Sequence, residues 1–228
     1  MMFEYPIVTK ENTTEQGRVY YIDHNGKTYG GLYSVTTILS KVTDTKKSIE
    51  SWRNKVGHHY ADLLTKRSTD KGNMMHDILY YRLVNENYSD KFKKNFLFDL
   101  AEKMADSVES YMTDNLTSLW GAEVPLFIPT MYAGRVDCVG VYNGKQSVID
   151  FKNSYKEKKE EHMYNYKLQC AAYALAHNYM YGTNIEQGVI LICNSEDIST
   201  REIIVTGDEW RDVCEEWMDI VAKFLSPQ

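Results

Sequence analysis

Asp137, Asp150 and Lys152 are the residues of this 228-residue chain whose types and spacing point most directly to chemistry. They lie in GRVDCVGVYNGKQSVIDFKNS, Gly134–Ser154, which reads as two Val- and Ile-rich β-runs, Arg135–Tyr142 and Lys145–Phe151, joined by Asn143-Gly144. Asn-Gly between apolar runs is a strong signal for a two-residue hairpin turn. With that turn at the tip, Tyr142 faces Lys145, Val139 faces Val148, and Asp137 falls opposite Asp150. Directly opposed side chains have Cβ atoms about 4.5–5.5 Å apart, where like charges repel. Either one carboxylate holds its proton or a cation lies between them. Lys152, two residues past Asp150, projects from the same face.

Two acids and one base on one surface suit metal-assisted hydrolysis of a phosphodiester. Carboxylate oxygens hold Mg²⁺ or Mn²⁺, which keeps waters and adds phosphate oxygens to its shell. Such an ion acidifies water and polarises the phosphoryl group, while Lys152 orients the water or neutralises developing charge. The plainer alternative is a surface hairpin in which Asp150 pairs with Lys152 or Arg135.

The block VDCV-GVYNGKQS-VIDFKNS resembles the PD-(D/E)XK nucleases of the RecB type, and among them the mitochondrial genome maintenance exonucleases. SVTTIL from Ser34, GNMMH ending at His76 and LQCAAY ending at Tyr173 follow the family's order along the chain. The resemblance implies metal ligation by Asp137, Asp150 and the Phe151 carbonyl. His76, after Gly72 on an early helix, matches a family histidine that reaches the metal; by spacing alone it is a packed or surface residue. Glu123, a charge in an otherwise apolar run, matches an acidic residue upstream of the first motif aspartate; its alternative is an exposed strand position. Gln169 and Tyr173, four apart on one helix face, match the motif that contacts substrate, and Asn153, Ser154 and Ser34 join them as substrate-binding candidates. Asn153 stands where relatives carry threonine, and Val136 where they carry proline. His58, His59, His162 and His177 match nothing and are read as structural.

The fold expected is α+β: a PD-(D/E)XK core with a mixed central sheet flanked by helices. It forms a single domain over 1–228, with a helical, arch-like part at about 34–118 and a catalytic core at 119–228. The activity implied is exonucleolytic hydrolysis of single-stranded DNA with Mg²⁺ or Mn²⁺, the strand threading beneath the arch. A structure-specific endonuclease with the same site, and a non-catalytic single-strand binder stacking bases on the eighteen tyrosines, are the alternatives.

A formal charge of −6 argues against coating nucleic acid by bulk electrostatics. Basic runs at Lys41, Lys46, Lys47, Arg53 and Lys55, and at Lys152, Lys156, Lys158, Lys159 and Lys167, read as solvated helix faces. Cys138, Cys170, Cys193 and Cys214 contain no C-x-x-C pair, so neither a disulfide framework nor an iron–sulfur cluster is expected. There is no phosphate loop, hence no ATP, and no apolar run long enough for a membrane. Without the layout of a signal or transit peptide, the expectation is a cytoplasmic monomer, of bacterial or viral origin.

The positioning elements follow from periodicity. Arg18–Ile22 and Lys27–Tyr33 form a hairpin about Asp23–Gly26. Helices are expected over Lys46–Lys66, with Ile49, Trp52, Val56, Tyr60 and Leu63 as its core stripe, over Gly72–Val84 and over Asp90–Leu116. Leu119–Ile128 leads as a strand into the central hairpin. A helix then runs from beyond Lys152 to about Met180, closed by Gly182. Gln187–Cys193 and Arg201–Val205 pair as a hairpin, and Thr206 and Glu209 open the last helix with a capping box.

Overall fold

The computed structural model describes residues 3–43, 45–156 and 163–226, the side chains of 45–48 excepted. Strands β1 (Ile7–Thr14), β2 (Gly17–His24) and β3 (Lys27–Tyr33) form a small antiparallel sheet in that order. Asn25 and Gly26 both take positive φ at the β2–β3 tip, as a type I′ turn requires. Strand β1 carries only half-buried and exposed residues and has no apolar alternation, which is why periodicity does not reveal it.

Ser34 ends β3 and caps helix α1 (Val35–Val42), its Oγ accepting the Thr37 N–H at 3.0 Å. Helix α2 (Thr45–Val56) and helix α3 (His58–Leu83) follow. The expected helices Lys46–Lys66 and Gly72–Val84 are therefore cut differently. The break falls at Gly57, whose φ of 91° no helix accommodates, and the chain stays helical through 67–71. The expected core stripe is also wrong. Ile49, Trp52, Tyr60 and Leu63 are exposed, and the packing of α3 is concentrated in Met75, Ile78 and Leu79. Periodicity identifies an apolar face but not whether another element covers it.

Helix α4 (Phe96–Asn115) starts six residues later than expected. Asn95 sets that start by accepting the Leu97 and Phe98 N–H groups at 3.0 and 3.1 Å.

The main sheet has five strands in the order β4 (Leu116–Ile128), β5 (Tyr132–Tyr142), β6 (Lys145–Ser154), β7 (Gln187–Asn194), β8 (Ser199–Thr206). Every neighbouring pair is antiparallel except β6–β7. The sheet is mixed, and with its helices the fold is α+β. The parallel pair is bridged by helix α5 (Tyr164–Tyr181), the kind of crossover that parallel pairing demands. Gly182 caps α5 in the left-handed region, as expected. The expected start of α5 just after Lys152 falls partly on residues 157–162, outside the described residues, as do His162, Lys158 and Lys159. Asn143 and Gly144 give the central hairpin its type I′ turn, and Tyr142–Lys145 and Val139–Val148 pair as expected.

Strand alternation sends residues to two cores. Val148, Ile190 and Ile192 meet α1, α5 and the last helix, α6 (Gly207–Leu225), on one face. Ile149, Phe151, Val189 and Leu191 meet α3 and α4 on the other. The small residues Ala171, Ala172, Ala174 and Ala176 of α5 are buried, as close packing on the sheet requires. Trp210, Val213, Trp217, Ile220 and Val221 of α6 are buried too. The capping box at Thr206 does not form. Its hydroxyl donates to the Glu186 carbonyl, and Glu209 pairs with Lys167 at 2.5 Å. The four cysteines are free thiols, three of them buried as small core residues. Among the described residues, no helix is long and apolar enough to cross a membrane.

Gly188 on β7 fixes how closely α5 and α6 approach the sheet. A Cβ there would lie 2.6 Å from the Trp210 ring and 2.8 Å from Cys170 Cβ. Gly188→Ala should destabilise the fold by about 1–3 kcal/mol through overpacking, measured by denaturant unfolding. An unchanged midpoint would mean that α6 is free to shift.

Candidate active site

The β5–β6 ladder ends at Cys138–Ile149, one step short of Asp137 and Asp150. At that step a side chain replaces the ladder, because Asp137 Oδ2 accepts the Phe151 N–H at 2.6 Å. The Phe151 ring itself lies in the core beneath α3. On the other edge of β5, Ala122 pairs with Cys138 and Val124 with Val136, which leaves Glu123 facing Asp137. Glu123 takes φ of 51°, the left-handed region that a non-glycine residue enters at a cost of order 1–3 kcal/mol. Val136 and Cys138, two apart, pack into opposite cores, which regular pleating does not allow. The strands thus part around these acids.

Asp150 is buried, Asp137 and Glu123 are partly buried, and each has its own cation. Burial raises the carboxyl of Asp150 and the neighbouring Lys152 only partly offsets it, leaving a pKa of about 6. Lys152 Nζ sits 2.6 Å from Asp150 Oδ2 as its ion-pair partner. Burial works against the Lys152 ammonium, but Asp150 and Asp137 outweigh it and raise its pKa. Burial would raise Asp137 as well; His76, Lys152 and the Phe151 N–H reverse that and lower it. His76 Nδ1 lies 3.2 Å from Asp137 Oδ1. The imidazole pKa, depressed by burial, ends above its usual value because of Asp137. Glu123 has a pKa of about 7, raised by burial and then by Asp137, with Arg135 3.9 Å away. Two of the three acids thus resist ionising together, the condition in which a divalent cation is most favourable.

One cavity of about 910 Å³ gathers His76, Glu123, Asp137, Asp150, Lys152, Gln169, Tyr173 and Ser34. Helix α3 supplies His76 from above one core and α5 supplies Gln169 and Tyr173 from the other. Tyr173 reaches the acids only because residue 134 is glycine; a Cβ there would lie 2.5 Å from its ring. Ser34 forms the wall as a cap, its hydroxyl already bonded to Thr37. Asn153 and Ser154 are turned away. The Asn153 amide donates to the Ser68 carbonyl at 3.1 Å and packs on Gly72, fastening α3 to the end of β6. The Ser154 hydroxyl is spent on the Lys156 carbonyl. His177, read as structural, is buried between Tyr5 and Thr183.

Sequence reasoning missed Arg18 and Tyr20, which β2 brings to the cavity, and Arg135 and Tyr80 beside the acids. Nothing in the pattern of β2 links it to a hairpin so far along the chain. Arg135 was legible only as the alternative partner of an acid.

One ligand atom from each of His76, Glu123 and Asp137 lies within 4.8 Å of the others. An imidazole with two carboxylates is a donor set for a divalent cation, and Asp150 lines the same cavity. The residues therefore fit a metal, although their geometry does not identify which.

No protein-family model matches this chain. No curated protein matches it. Among solved structures it is similar to a protein described as a "Putative exonuclease" from Eubacterium rectale, with 12% identity, a TM-score of 0.39 and coverage of 82% of this chain and 71% of the other. It is also similar to a protein named SSO0001, with 17% identity, a TM-score of 0.34 and coverage of 67% of this chain and 68% of the other.

Proposed function

We propose that this chain is a metal-dependent deoxyribonuclease that hydrolyses phosphodiester bonds of single-stranded DNA from an end. The observation that carries the reading is the convergence of His76, Glu123 and Asp137 on one point, beside a buried Asp150–Lys152 pair. The order of the matching sequence blocks supports the same reading, and so does the mixed sheet that brings the acids together.

His76, Glu123 and Asp137 would hold the ion, with Asp150 and the Phe151 carbonyl at its margin. A divalent cation supplies Lewis acidity towards water and the phosphoryl oxygen. Lys152, kept an ammonium by Asp150 and Asp137, does not accept a proton; it faces the charge that develops on phosphate. Tyr173, whose pKa burial raises well above its usual value, stays a hydroxyl and donates to substrate, with Gln169 one turn before it. Asn153 and Ser154 hold α3 and the strand end rather than DNA.

Lys152→Ala should lower degradation of end-labelled linear single-stranded DNA by roughly 10²–10³-fold. Asp150 can take up a proton in that variant, so thermal unfolding should remain cooperative. A folded variant with full activity would sink the assignment. In the wild type, loss of the linear strand only with Mn²⁺ or Mg²⁺, with the circular strand intact, is the expected pattern. Cleavage of the circle would make the enzyme an endonuclease, and binding without cleavage would leave a binding module.

A second expectation concerns pH. Glu123, at about 7, and Asp150, at about 6, are raised above unfolded carboxyls. In the metal-free protein they contribute stability that is complete below the unfolded carboxyl pKa of about 4 and is lost as pH rises from there through the folded values of about 6 and 7. In chelator, the melting temperature of the wild type should fall relative to Glu123→Gln between pH 5.5 and 8, and Mn²⁺ should restore it at the upper end. Parallel curves for the two proteins would remove Glu123 from the ligand set.

A further inference from the structure

Helix α2 and the first half of α3 carry an aromatic surface that no other described element covers. Trp52, Tyr60, Leu64, Phe96 and Tyr155 line one groove of about 950 Å³, and Tyr60, Phe96 and Tyr155 are 57%, 70% and 64% exposed. Contiguous apolar surface of this kind marks a contact site.

The charge of the groove selects its occupant. Arg67 and Lys71 stand four apart on α3, a spacing at which like charges destabilise a helix. Both line the groove, where Glu196 is the only acid among the lining residues. Among the described residues neither has a carboxylate partner; Arg67 is exposed, and Lys71 is buried behind it, donating to the Ser195 hydroxyl 2.5 Å from its Nζ. Flat aromatic faces beside the exposed Arg67 guanidinium suit a ligand that offers flat rings and regularly spaced anions. Unpaired nucleotides meet both requirements.

We infer that this groove binds an unpaired DNA strand, bases stacking on Trp52, Tyr60 and Phe96 and phosphates meeting Arg67, with the charge of Lys71 set behind it, as a second contact for the strand whose end enters the catalytic cavity. The inference rests on the nuclease reading. At 3.6 residues per turn, Tyr60, Leu64, Arg67 and Lys71 lie on roughly the opposite side of α3 from His76, Asn73 and Tyr80, which line the catalytic cavity. The strand therefore bends past α3, and only strands long enough to do so use both contacts.

The test compares full-length protein with the double variant Trp52→Ala/Tyr60→Ala and with Arg67→Gln. All three changes fall on side chains that are exposed or half-buried, and circular dichroism checks the fold. Fluorescence anisotropy measures binding of a labelled 20-nucleotide oligo(dT) in the Lys152→Ala background, and cleavage of that strand and of a trinucleotide is measured without that substitution. The expected result is roughly tenfold or greater loss of 20-mer affinity in the double variant, a shallower salt dependence in Arg67→Gln, and unchanged trinucleotide cleavage. If the wild type cuts the 20-mer and the variants bind it unchanged, the groove is not a DNA site and the nuclease reading stands. If the wild type binds without cutting and the variants bind weakly, the groove stands and the catalytic reading fails. If nothing binds, both fall. A concentration-dependent dimer by light scattering that Tyr60→Ala abolishes would assign the groove to a second copy and overturn the inference.

Discussion

A buried carboxylate, a second carboxylate and an ammonium, both largely buried, are held together at the point where β5 and β6 part, and much of the architecture follows from making that tolerable. Ions taken out of water cost several kcal/mol each unless they are paired and hydrogen-bonded. Here the Phe151 N–H and His76 satisfy Asp137, and Lys152 neutralises Asp150. Both arrangements need supports from elsewhere. His76 arrives only if α3 crosses the end of β6, which Asn153 and Gly72 secure. The opposite side needs α5 close to the sheet, which its alanines and Gly188 allow.

The same balance would favour a bound cation. Three acids and one imidazole face one lysine across a small volume, with Arg135 alongside. Left alone, Glu123 and Asp150 keep their protons to higher pH than ordinary carboxyls. An anionic substrate entering such a site would add to the repulsion, so a divalent ion is the natural third member of the complex. The net charge of −6 is compatible with the proposed polyanionic substrate, because attraction need only be local.

The central hairpin was legible because Asn143-Gly144 fixes the register and the register fixes which side chains meet. Gly182 and the α6 stripe were legible for equally local reasons. What was not legible depends on tertiary partners. Trp52 and Tyr60 lie at helical spacing, but no periodicity says whether a face is covered. Asn153 has the chemistry of a phosphate ligand, and only the position of α3 shows that its amide is engaged with Ser68. Glu123 stood out as a charge in an apolar run, while its left-handed backbone is imposed by the neighbouring strand. Arg18 entered the cavity from a sheet that contributes nothing to the motif.

The parallel pairing of β6 with β7 has a kinetic side. Asp137 and Asp150 belong to strands joined by two residues, so their meeting closes a very short loop and can occur early. The β7 pairing must wait for α5 to form and cross over, and His76 comes from still farther along the chain. Loop-closure entropy makes such distant contacts slow. During folding Asp137 therefore meets Asp150 with Lys152 already beside it on the same strand, while His76, the partner of Asp137, is among the last to arrive.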